Sequence, residues 1–367
     1  MGIRLTTAAS LLLLVHAGTA SAAASPSRSW AAPQIRVVTA AGLMSPSDPA
    51  TFRPDDTLTA QALEDLVFSL KQALLLTVTP TAPTPGSTTT TQTTTTPSAP
   101  ARLVGGDRAV TMAKLDTRLV QGLGLAKAAQ EFSAGARAAG LKVPARFGTE
   151  VVARLLALRT NHPSSEDSLE LLPSDTATRA EAAYSAAREL AFSGWEVAGV
   201  QSLADSFALP AFSDWQRLIL NTAVARIGMP YIWGGESDGP QTAFGVSSRG
   251  GYDCSGFVWR VYKLQSYPGE GTLASVLRGR TTFQMSGEVP RSQRVGFAQL
   301  EPADVIFFGS RGPHSQPSQV GHMGIYVGNG WFIHSSGNGV ALATLTGWYR
   351  DEFAWARRPL READLGT

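Results

Sequence analysis

Cysteine is almost absent from this chain: Cys254 is the only one in 367 residues. An internal disulfide is therefore impossible, and so is a site built from several thiolates. Histidine is scarce as well, with five residues. Charged residues make up 16% and the formal net charge is +2, with Lys and Arg scattered rather than clustered. That pattern gives no basis for nucleic-acid binding. No apolar run approaches the roughly 20 residues that cross a bilayer, so no membrane span is expected. No motif implies a cofactor or a second chain, and a cofactor-free monomer is expected. Against these absences stands 43% hydrophobic content. It suffices for a sizeable core, and the length allows two or three domains.

The lone cysteine sits in the most informative stretch. Gly251-Tyr252-Asp253-Cys254-Ser255-Gly256 leads into apolar residues at helical spacing, Phe257, Val258, Val261 and Tyr262. The pattern predicts a loop entering an amphipathic helix with Cys254 at its N-terminus. Unpaired N–H groups and the positive end of the helix dipole lie there and favour thiolate over thiol. A single cysteine is otherwise most often a small buried hydrophobe. The histidines decide between the two readings. Two β-rich runs, His322–Val327 and Trp331–His334, flank Gly328-Asn329-Gly330 and read as a hairpin. His322 begins the first strand and His334 ends the second, so pairing brings both imidazoles to one end. A cysteine peptidase needs that set: Cys254 as nucleophile, His322 as base, and His334 as the polar group fixing the base. Three such ligands could also hold zinc, but a helix N-terminus lets a thiolate form without a cation, so no metal is expected.

Along the chain, residues 1–22 read as a secretory signal peptide: Arg4, an apolar stretch centred on Leu11–Val15, and Ala20-Ser21-Ala22 for cleavage. A secreted, extracellular or wall-associated protein is expected, without a lipoprotein anchor since no cysteine is near. Residues 30–76 hold two helical patterns, one with Ile35, Val38, Ala41 and Leu43, the other capped by Thr59 with Leu63, Leu66, Val67 and Leu70. Residues 77–101 form a Thr/Pro-rich linker. Residues 102–192 hold further helices, one opened by Thr111, one over Val151–Leu158, and one where Thr178 and Glu181 predict a capping box. Residues 193–212 read as a connector and 359–367 as a tail. Between them, 213–358 begins with a helix over Asp214–Ile227 capped by Ser213 or Asp214.

Five motifs in the segment 213–358 resemble the NlpC family of papain-like cell-wall cysteine peptidases. They are Ala225–Gly235, Tyr252–Val258, Arg280–Gln284, Leu300–Phe308 and Val320–His334. The resemblance implies an α+β, papain-like domain in which the helix bearing the nucleophile packs on an antiparallel sheet. It implies cleavage of an amide bond in peptidoglycan stem peptides, between D-γ-glutamate and the following diamino acid. Tyr231 would face the site, Asp253 and Ser255 would contact substrate, and Arg280 would line the cleft. From the residues alone, Tyr231 could equally be a core aromatic, Asp253 a helix N-cap and Arg280 a solvated arginine. The N-terminal part resembles degenerate S-layer homology repeats through Trp30, Gly42-Leu43, Thr51–Asp55, Thr59 and Thr178-Arg179-Ala180-Glu181. That implies an all-α helical-repeat region that binds cell-wall polysaccharide, with Arg179 as the signature cation; Ala60 and Met112 stand at the matching places. Two other functions compete: an amidase or transpeptidase on another wall substrate, and a non-catalytic wall-attached structural protein. Three loops decide specificity, Glu236–Gly250, Tyr267–Leu277 and Ser310–Gln319, the last carrying His314.

Overall fold

The structure, a computed structural model, describes residues 29–46, 48–78 and 100–366. The expected signal peptide and most of the Thr/Pro-rich linker lie outside these residues.

Among the described residues, seven α-helices precede the cysteine domain: α1 (Ala32–Ala40), α2 (Ala60–Val78), α3 (Met112–Gly122), α4 (Ala126–Ala138), α5 (Phe147–Leu155), α6 (Arg179–Leu190) and α7 (Trp195–Asp205). Helix α1 buries Ile35 and Val38 and ends at Gly42, whose φ of 67° suits glycine; Leu43 N–H then reaches back to Val38 O at 2.9 Å. The expected stripe of α2 (Leu63, Leu66, Val67, Leu70) is buried. Three of these helices start alike. Thr59, Thr111 and Thr178 accept from Ala62, Lys114 and Glu181 N–H at 3.2, 3.3 and 3.2 Å. The residue before each threonine joins a closed ring of backbone bonds. Leu58 N–H donates to Ala177 O, Ala177 to Val110 O, and Val110 to Leu58 O, at 2.8, 2.9 and 3.1 Å. The first two N–H groups of each helix donate to the next repeat: Ala60 and Gln61 to Arg108 and Gly106, Met112 and Ala113 to Asp175 and Pro173, and Arg179 and Ala180 to Asp56 and Pro54. Helix-end donors that would otherwise be unsatisfied are used to hold three repeats around a pseudo-threefold axis.

Two expectations need correction. Glu181 does not close a capping box; it is buried in the electrostatic reach of Arg159, and burial pushes its carboxyl up to about 6. The connector at 193–212 contains α7, which packs on α4 and bonds Gln201 Nε2 to Glu131 at 3.0 Å. His162 is buried, with Trp30 edge-on at 4.6 Å and Glu170 at 3.0 Å from Nδ1.

The C-terminal part opens with α8 (Asp214–Val224), shorter than expected, and Ser213 closes a capping box with Gln216. Small ladders then occupy the loop Glu236–Gly250 and its exit: β1 (Glu236–Ser237) pairs with β4 (Gly251–Tyr252), and β2 (Gln241–Ala243) with β3 (Val246–Ser248). Helix α9 (Cys254–Tyr262) follows. Five antiparallel strands form the main sheet: β5 (Val305–Gly309), β6 (Val320–Gly328), β7 (Trp331–Ser336), β8 (Gly339–Thr344) and β9 (Phe353–Arg357), in the order β8-β7-β6-β5-β9. The run Val305–Phe308 is buried throughout, as suits a strand with neighbours on both sides. Asp304 closes the turn before it, accepting from Glu301 N–H at 2.8 Å and gripping Arg358 at 2.9 and 3.0 Å. Helix α9 packs on β6 and β7, so this half is the α+β arrangement expected. The two halves share a core: Trp331 of β7 meets Phe132 of α4 and Phe207 at centroid distances of 5.8 and 5.1 Å. Arg154 of α5, 3% exposed, donates to the carbonyls of Gly228 and, at 2.6 Å, Asn338.

Candidate active site

Asp253 starts α9. It accepts from Gly256 N–H as the N-cap, which places Cys254 at the first helical position. Gly256 is required there, because a Cβ would collide with Gly235 O. Cys254 is 8% exposed, with Thr282 Oγ1 at 3.7 Å from Sγ and the backbone N–H groups of Met323 and Ser255 directed at the sulfur. Met323 follows His322 on β6, so the thiol and the first histidine share one end of the sheet.

The hairpin forms with Ile325 opposite Ile333 and Tyr326 opposite Phe332. His322 and His334 therefore lie diagonally across β6 and β7 on one face. Gly324 lies between them, and a Cβ there would press on His334 Cβ at 3.1 Å and on Phe332 at 2.9 Å. This close approach lets His322 Nε2 reach His334 Nδ1 at 2.8 Å. Tyr349 Oη lies 3.5 Å from His334 Nε2, at the long limit for a hydrogen bond. Phe308 stacks on His322 with centroids 5.7 Å apart, and Phe332 lies 4.8 Å from His334.

This apolar surround sets the protonation states. Burial pushes the Cys254 thiol up to about 11, with Asp253 adding to the effect, and pulls the His322 imidazole down to about 4. His334 is driven well below its ordinary value by burial and by His322. The resting groups are a neutral thiol and neutral imidazoles. The helix N-terminus alone implied thiolate, but desolvation of the charged form outweighs it.

The remaining expected residues form one network. Arg280 donates from Nε to Glu236 at 2.7 Å, from one terminal nitrogen to Ser255 Oγ and Asp253 at 2.7 and 3.2 Å, and from the other to Gly234 O and Gly235 O, each at 3.2 Å. These contacts match the five donors of a guanidinium. Arg280 thus staples the loop before the nucleophile onto α9 and has no donor left for a substrate carboxylate. Asp253 also takes Ser255 Oγ–H and Gly234 N–H, each at 3.0 Å. Tyr231 is half-buried, bridged to Tyr252, and its phenol is held above its ordinary pKa by burial and by Cys254, Asp253 and Asp167. His314 is exposed. Among the described residues, no three His, Cys, Asp or Glu converge at metal-binding spacing. Sequence reasoning did not single out Thr282, Tyr349 or Asp167, which reach the site through space. For Thr282 a local signal existed: Thr281 and Gln284 cap the short helix Thr282–Gly287.

Residues 228–358 match the model described as the NlpC/P60 family. The probable peptidoglycan endopeptidase LytE of Bacillus subtilis is 33% identical over 131 residues, which are 36% of this chain and 30% of LytE. The murein DD-endopeptidase MepH of Escherichia coli is 30% identical over 152 residues, 41% of this chain and 48% of MepH. A gamma-D-glutamyl-L-lysine dipeptidyl-peptidase of Bacillus cereus is 33% identical over 156 residues, 41% of this chain and 37% of that protein. The chain thus spans less than half the length of each of these relatives. The matched segment of this chain contains the cysteine helix and the histidine hairpin, and residues 228–358 are an NlpC/P60 family domain.

Proposed function

We propose that the protein is a secreted or wall-associated endopeptidase that cleaves peptidoglycan stem peptides between D-γ-glutamate and the following diamino acid, with Cys254 as nucleophile. The observation that carries this reading is the 2.8 Å contact of His322 Nε2 with His334 Nδ1 beside a thiol at a helix N-terminus. With Nε2 engaged, His322 keeps Nδ1 for the thiol. Sγ attacks the scissile carbonyl as its proton passes to Nδ1, and the oxyanion takes hydrogen bonds from backbone N–H at Cys254 or Ser255. The C–N bond then breaks as the imidazolium returns the proton to the leaving amine. Water, deprotonated by His322, hydrolyses the thioester and restores the thiol. His334 holds His322 in the productive tautomer and steadies the transient positive charge. A relative named for the γ-D-glutamyl bond supports the choice of bond, while another is named for a different one.

Wall-polysaccharide attachment by the helical region draws no support from Arg179. Its guanidinium turns inward, donating to Phe52 O at 2.9 Å and to Ser45 O, over the Phe52 ring at 4.4 Å. The test of function is mass spectrometry of fragments released from purified peptidoglycan by the full chain. Cleavage after D-γ-glutamate is expected. Cleavage elsewhere would move the reading to the amidase or transpeptidase alternative, and intact material to the structural-protein alternative.

A further inference from the structure

The helical region does more than adjoin the cysteine domain; it grips the segment that carries Tyr231. Arg146 donates to Ala225 O at 2.8 Å and Ile227 O at 3.4 Å, and Arg154 to Gly228 O. Further along, Trp233 N–H donates to Asp167 Oδ2 at 3.3 Å. Asp167 belongs to the turn Ser164–Leu169, which packs on β3 beside the cleft. Among the described residues this is the one hydrogen bond from the helical region into 231–235.

The opposite side of that segment is wired to the nucleophile. Tyr252 N–H donates to Pro230 O, Ile232 to Tyr252 O, and Asp253 to Gly235 O, at 3.1, 3.2 and 3.1 Å. Gly234 N–H binds the Asp253 carboxylate. A shift of the Trp233 peptide therefore moves both Tyr231 and the N-cap of α9. Side-chain burial does little to prevent that shift, since the Trp233 indole is 55% exposed. Asp167 is suited to hold it: the residue is 3% exposed and has no cation pair among the described residues. Its carboxylate is thus kept for this bond.

We propose that Asp167 is a positioning residue that fixes the Tyr231–Gly235 wall of the cleft, making the helical region a working part of the substrate site. The proposal rests on the peptidase reading given above. On that reading Tyr231 contacts substrate and transfers no proton, so a displaced wall weakens binding more than turnover.

The test measures kcat and KM for the full chain on a soluble stem peptide, with amide hydrogen exchange at Trp233. For Asp167→Ala we expect KM to rise about tenfold with a smaller change in kcat, in the range of misplacement effects, and faster exchange at Trp233. Asp167→Asn keeps an acceptor oxygen and should restore both to near wild type. Asp167→Ser, too short to reach Trp233, replaces the alanine variant should that one not fold. Unchanged KM and exchange in Asp167→Ala overturn the proposal, as does equal damage in Ala and Asn, which would mean that charge rather than the bond matters. If the wild type cleaves nothing, the peptidase reading fails, and exchange at Trp233 alone still decides whether Asp167 holds the segment.

Discussion

In the helical region, the N-termini of α2, α3 and α6 are closed by their neighbours: each gives its first two N–H groups to the next repeat's backbone. In the cysteine domain, the N-terminus of α9 directs Ser255 N–H at a sulfur, beside two imidazoles joined to each other. The same physical resource, unsatisfied donors at a helix start, serves assembly in one region and, on the peptidase reading, chemistry in the other. Burial separates them too. The helical region buries Arg159 against Asp116 at 3.1 Å, a charge held by its opposite. The cysteine domain buries Cys254, His322 and His334 with no charged partner bonded to any of them among the described residues, so all three are neutral at rest. A buried neutral acid and base can exchange a proton when substrate arrives; a buried ion pair is already committed.

This contrast can be broken at the site first. His322→Ala should lower kcat/KM by about 10³ and His334→Ala by about 10², in the range of general-base and orienting groups; equal activity in both variants would assign the chemistry elsewhere. Arg154→Met tests the seam between the regions. Losing its bonds to Gly228 and Asn338 and leaving Glu150 without its 3.6 Å partner should cost about 3 kcal/mol, read by denaturant unfolding. An unchanged midpoint would mean that the regions are only juxtaposed.

The protonation claim has a sharper test. His322 must be neutral to accept the thiol proton, and burial holds its pKa down to about 4. The value of kcat/KM should therefore persist as pH falls to about 4 and drop below it, as His322 takes a proton from solvent. An acid limb near the ordinary histidine value of about 6.5 would show an exposed base and erase the contrast. The smallest effects lie in the ring of repeats, where Thr59→Ala, Thr111→Ala and Thr178→Ala should each cost about 1 kcal/mol. Markedly unequal costs would argue against the pseudo-threefold equivalence.

What was legible in the sequence was local. The Asp253 cap, Cys254 at the helix start, the Gly328-Asn329-Gly330 hairpin and the three threonine caps each follow from neighbours within a few residues. Alternation and strand length carried both histidines to one end of the hairpin. Helices α4 and α7 were not legible for a different reason: the buried face of α4 is built mostly from small residues, Ala128, Ala129, Ser133 and Ala136 around Phe132, and α7 opens on a 71% exposed Trp195. The resting charge state escaped because the dipole at a helix end is visible in sequence, whereas desolvation by Phe308, Phe332 and Tyr349 depends on packing. Asp167 lies 66 residues from Trp233, and Arg154 lies 74 and 184 residues from Gly228 and Asn338, and no periodicity reports such contacts.

The central claim is that Cys254 is the nucleophile of a peptidase, and one comparison tests it most directly: purified peptidoglycan digested by the full chain and by its Cys254→Ala variant, with released fragments weighed by mass spectrometry. The account predicts cleaved stem peptides from the wild type and none from the variant, whose fold, checked by its melting profile, is retained. Equal release of fragments by both proteins would contradict it.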